Sequence, residues 1–102
     1  MAFRRGRFAE VVARQLELFE REHAGLIGDA EAALRAYDSA ERDEAEERYG
    51  DYLDLVDTGQ DVLIEMREAY AATLDEDAAL EYEAVFNAAA RKRLPRFGLE
   101  LD

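Results

Sequence analysis

The sequence predicts an all-α protein: a long antiparallel helical hairpin plus a shorter third helix, completed as a helical bundle by dimerisation. Ala, Glu, Leu, Arg and Lys supply 59 of the 102 residues, the mixture of long helices and coiled coils. The β-branched set is thin, with five Val, two Ile and two Thr. Six Gly and one Pro leave little material for the turns of a sandwich or barrel. A chain of this length, 49% hydrophobic, fits one core or part of a shared one.

The first helix is read from the stripe Phe8, Val12, Leu16, Phe19, His23, Leu26 or Ile27, Ala30, Leu34 and Tyr37, whose mean step is close to the helical 3.6. Gly25 and Gly28 each weaken it by about 1 kcal/mol relative to Ala, which makes that region the expected place for a kink or break. A turn follows at Asp38-Ser39-Ala40-Glu41, where Asp38 and Glu41 have the spacing of a capping box.

The second helix carries the most regular pattern in the chain. Ala45, Tyr49, Tyr52, Val56, Gly59, Leu63, Met66, Tyr70 and Thr73 alternate by four and three without a slip. Glu44, Glu47, Asp51, Asp54, Asp61, Glu65 and Glu68 keep the same period on the other side and read as a solvated face. Thr73 to Asp77 is a cap-rich break. Ala78, Tyr82, Val85, Phe86, Ala89 and Ala90 then mark a third helix ending near Leu94-Pro95, with Arg91, Lys92 and Arg93 suited to the negative end of its dipole. Phe97, Leu99 and Leu101 have a period of two, so residues 1–94 are read as one helical domain and 95–102 as an extended tail.

Helix lengths expose a mismatch. At 1.5 Å per residue the two long helices reach about 45 and 50 Å and the third only about 27 Å. The distal half of the hairpin, with Leu26, Ile27, Leu34, Tyr37, Tyr49, Tyr52, Leu53 and Val56, is then left without a cover, and apolar surface on that scale marks an interface. A second copy in an isologous dimer is the expected cover. The alternative is the tail folding back through Phe97, Leu99 and Leu101, since eight extended residues span about 26 Å. Buried tyrosines with a polar tip, as at Tyr37, Tyr49, Tyr52 and Tyr70, suit an interface.

Charge and composition narrow the function classes. The net charge is −12, with +3 in residues 1–7, +4 in 91–96 and −17 in 10–90. An acidic body between basic ends disfavours duplex nucleic acid, whose affinity rests on Lys and Arg contacts to phosphates. The basic ends interleave Arg with Phe, a mixture suited to the acidic body of a neighbouring subunit. There is no cysteine, so no thiolate nucleophile, thiolate metal site or disulfide is available. No long apolar run or secretory leader is evident, so no membrane association and a cytoplasmic location are expected.

Two strings bear on chemistry. Leu55-Val56-Asp57-Thr58-Gly59-Gln60-Asp61 resembles the active-site loop of retroviral-type aspartic proteases, which are all-β dimers with paired aspartates. The likeness covers seven residues and lies inside the unbroken helical pattern, where Gly59 reads as a point of close helix approach. Glu20 and His23 have the Glu-x-x-His spacing that resembles ferritin-like di-iron bundles, and two copies across a dimer would supply the usual pair of histidines. The function expected is therefore a non-enzymatic helical interaction or scaffold protein without a cofactor, self-associating and presenting its acidic surface or tail to a protein partner. The alternative is a ferritin-like bundle binding iron or another divalent metal at the dimer interface through Glu20 and His23. A weaker third class is an acidic helical mimic of nucleic acid.

Overall fold

The computed structural model describes residues 6–98. Of these, 84% are helical and none is in a strand, so the protein is all-α. The order is α1 (Ala9–Glu22), α2 (Ala24–Asp38), α3 (Ala45–Ala71), α4 (Glu76–Arg93) and a single turn α5 (Pro95–Gly98). Among the described residues no helix is long and apolar enough to cross a membrane.

The first long stripe is divided. The break falls at His23, two residues before Gly25, while both Gly25 and Gly28 lie inside α2. His23 still donates its backbone N–H to the Phe19 carbonyl, but its φ of −121° and ψ of 31° turn the chain away. Packing supplies the reason: α1 lies on α4, whereas α2 lies along α3. One straight helix could not follow both.

The turn after α2 also differs from the capping-box reading. Asp38 is the last residue of α2, and α3 begins only at Ala45. The α2 ladder continues because both the backbone N–H and the hydroxyl of Ser39 donate to the Arg35 carbonyl, at 3.1 and 3.0 Å. Glu44 stands at the α3 N-cap without a side-chain cap bond. The α4 start, by contrast, is capped as its composition foretells: the Asp75 carboxylate accepts from the Ala78 N–H at 2.9 Å, satisfying one of the unpaired donors of the first turn.

The core gathers at one end of the molecule. Val12, Leu16 and Phe19 from α1, Leu63 from α3, Tyr82, Phe86 and Ala90 from α4, and Phe97 from α5 are all fully or almost fully buried. Aromatic rings meet edge to face at Phe8–Tyr82 (5.6 Å) and Phe19–Phe97 (5.9 Å), the geometry their quadrupoles favour. Phe97 changes the reading of the tail: residues 95–98 form a helical turn, not an extended segment, with the Phe97 and Gly98 N–H groups donating to the Leu94 carbonyl. The turn forms because it carries Phe97 into the core. Leu99 and Leu101 lie outside the described residues.

Only Ala30 of α2 and Val56 of the facing part of α3 join this core. The distal parts of α2 and α3 project as an arm. The Cα radius of gyration is 16.1 Å and the extents are 56 × 27 × 22 Å, against a radius of about 13 Å for a compact domain of roughly 100 residues.

Candidate interaction surface

The arm is built from two half-apolar helices meeting mainly through aromatic and aliphatic side chains. Near its tip the Tyr37 and Tyr49 rings pack at 5.0 Å, and Tyr49 and Tyr52 at 6.1 Å. The contacts leave much of each ring in water: Tyr37 is 36% exposed, Tyr49 43% and Leu53 40%. Leu26, Ile27, Leu34 and Tyr52 are half-buried, and Val56 is buried. Of the eight residues assigned to an interface from sequence, the structure thus brings all onto α2 and α3. Single exposed apolar residues are common on protein surfaces, whereas a contiguous aromatic group is not.

At the base of the arm is an open groove of about 730 Å³. Ile27, Tyr52, Leu94 and Phe97 give it an apolar lining, and Gly28 leaves its α2 wall low; a Cβ at Gly28 would meet nothing within 4 Å. The rim is charged. Arg93 donates to both Glu20 carboxylate oxygens, at 2.8 and 3.1 Å, and this contact holds the Arg93 guanidinium above its ordinary pKa. Arg96 lies 3.6 Å from Glu31. The basic C-terminal stretch therefore binds acidic residues of its own chain through these two arginines. Arg4 and Arg5 of the other basic stretch lie outside the described residues. Sequence periodicity had no means of finding the groove, since its lining draws on all five helices, with Glu20 from α1, Ile27 from α2, Tyr52 from α3, Arg93 from α4 and Phe97 from the α5 turn.

Glu20 and His23 do share one end of α1, but they face different tasks. The Glu20 carboxylate is engaged by Arg93, and the His23 ring packs on Phe19 at a centroid distance of 5.1 Å. Among the described residues no group of three or more His, Asp or Glu side chains converges as a metal site would require. Asp57, Thr58 and Gly59 sit within α3, and the Thr58 hydroxyl donates to the Asp54 carbonyl one turn back. The protease-like string is helical.

Two polar features of the body escape the apolar pattern altogether. The Tyr82 hydroxyl donates to the Gln15 side-chain oxygen at 2.7 Å, and burial pushes the Tyr82 pKa up to about 12. Arg67 donates to the buried Asn87 at 2.8 Å while pairing with Glu68. Both bonds satisfy polar groups inside the body. No family model, curated protein or solved structure matches this chain.

Proposed function

We propose that this protein acts by binding and not by catalysis, as a helical scaffold that self-associates through the arm formed by α2 and α3. In this reading the two helices are the antiparallel arms of a hairpin, consistent with their short connection and with Tyr37 near the end of α2 meeting Tyr49 near the start of α3. The observation that carries the proposal is the exposed group Tyr37, Tyr49 and Leu53 on a part of the molecule that its own core does not cover. A second copy laid on the arm would complete a four-helix bundle there. The acidic faces, rich in Asp and Glu along α3, then remain outward for a protein partner.

Sedimentation velocity at micromolar concentration tests this directly. A dimer near twice 11.6 kDa is expected, dissociating when Tyr49 and Leu53 are both replaced by Ser. A single monomeric species across the range to about 100 μM would refute self-association, since an interface weaker than that is outside the usual range of specific dimers.

A further inference from the structure

Resting on that self-association, we infer that the two copies pair antiparallel along their arms, so that the acidic tip of each arm seats over the groove and basic stretch of the other. The tip, residues 38–47, carries a net charge of −5, and residues 91–96 carry +4. The latter is the densest positive charge among the described residues. Arg93 pairs with Glu20 and Arg96 with Glu31, and beside the stretch lies the apolar groove lined by Ile27, Tyr52 and Phe97.

Reach excludes a tip folding onto its own groove. From Gly28 at the groove to Ser39 beyond the end of α2 is a rise of about 16 Å along a rigid helix. A second copy solves this by symmetry. Placing a two-fold axis level with Leu34 and Tyr49 sets each tip opposite the partner's groove, overlapping the arms by roughly 16 Å. Leu53, Tyr49 and Tyr37, the exposed group, then lie along the overlap. Charge selects the direction of pairing. Arms laid parallel would set −5 against −5 at the tips, whereas the antiparallel arrangement sets −5 against +4, and like charges juxtaposed across an interface are strongly disfavoured. An isologous interface contains both tip-to-groove contacts at once.

Two charge-reversed proteins test the arrangement. One carries Asp43→Lys and Glu44→Lys at the tip, the other Lys92→Glu and Arg96→Glu at the base. None of the four side chains is buried, and circular dichroism checks that each variant keeps the parent helicity. If a double variant loses helicity, the pair Asp43→Lys and Lys92→Glu provides the same comparison. Each variant alone is expected to dimerise on the order of tenfold more weakly, or worse, than the parent at low salt. Mixed, they should form a heterodimer tighter than either variant alone though weaker than the parent, because one of its two tip-to-base contacts is again the parental −5 against +4. A mixture no tighter than its components, or a base variant that dimerises like the parent while the tip variant does not, overturns the antiparallel pairing yet leaves self-association standing. A parent protein that is itself monomeric removes both readings together.

Discussion

The ring of Phe97 lies flat against the backbone of Gly59, in the space a side chain at that position would fill. A Cβ built on Gly59 would overlap the Phe97 Cδ1 and approach its Cγ to 3.1 Å. Phe19 meets the same ring edge to face, at a centroid distance of 5.9 Å. The glycine in the middle of α3 is therefore a seat for the C-terminal turn, where the heptad pattern had indicated a point of close approach between long helices. The seat costs helix propensity, roughly 1 kcal/mol relative to Ala, and gains a buried aromatic in return.

Gly59→Ala should destabilise the protein although it improves α3 as a helix. Overpacking of a filled site costs about 1–3 kcal/mol, so a net loss of about 1–2 kcal/mol is expected in urea unfolding. Phe97→Ala should cost more, about 3–5 kcal/mol. The informative measurement is the double variant: with Phe97 already truncated, Gly59→Ala should be neutral or stabilising, a coupling between contacting residues. Additive losses would show that Phe97 does not occupy this seat.

Gly25 makes the opposite case. It is the second residue of α2 and an added Cβ would meet nothing within 4 Å. Gly25→Ala should stabilise by about 0.5–1 kcal/mol through helix propensity and a less flexible unfolded chain, raising the thermal midpoint by several degrees in a domain of this size. A lowered midpoint would mean that the turn at His23 needs the glycine after all.

The contrast between these glycines shows where periodicity stops being informative. Phe8, Val12, Leu16 and Phe19 are buried as their spacing indicates, as are Val56, Leu63, Tyr82 and Phe86, because a one-dimensional stripe encodes which face of a helix is apolar. It does not encode which neighbour that face meets. The stripe through His23 continues unbroken in sequence although its two halves serve different partners, α4 and α3. Phe97 sits in a short run of alternating apolar residues, yet one Leu94 carbonyl and one glycine seat fold it into a turn. The groove was equally illegible, since it arises where five elements converge. The candidate arm residues were readable because they belong to helices long enough to outrun their cover.

The Arg93–Glu20 pair has good bidentate geometry but stands in water, its side chains 39% and 35% exposed. Exposed pairs of this kind contribute only about 0.2–1 kcal/mol. Glu20→Gln is therefore expected to lower stability by less than about 1 kcal/mol, with the difference shrinking in 1 M salt. A loss of several kcal/mol would assign Glu20 a second partner and reopen the metal-binding alternative, which elemental analysis of the parent and of His23→Ala would then decide.

Tyr82 predicts a particular alkaline transition. Its side chain is fully buried and bonded to Gln15, and burial, the largest cause, holds its pKa at about 12; Tyr70 and Glu68 act in the same direction, Gln15 and Arg67 against it. In the unfolded chain a tyrosine ionises near pH 10. Below pH 10 both states hold the proton and stability is fully present. Between pH 10 and 12 the unfolded chain releases its proton while the folded one retains it, so stability falls as pH rises, by on the order of 2 kcal/mol across the window. Tyr82→Phe removes the titration. It should cost about 1–2 kcal/mol at pH 7 by leaving the Gln15 oxygen without this donor, but its stability should decline less steeply than the parent's above pH 10. Parallel pH profiles for the two proteins in urea unfolding would show that Tyr82 ionises in the folded protein as readily as in the unfolded chain.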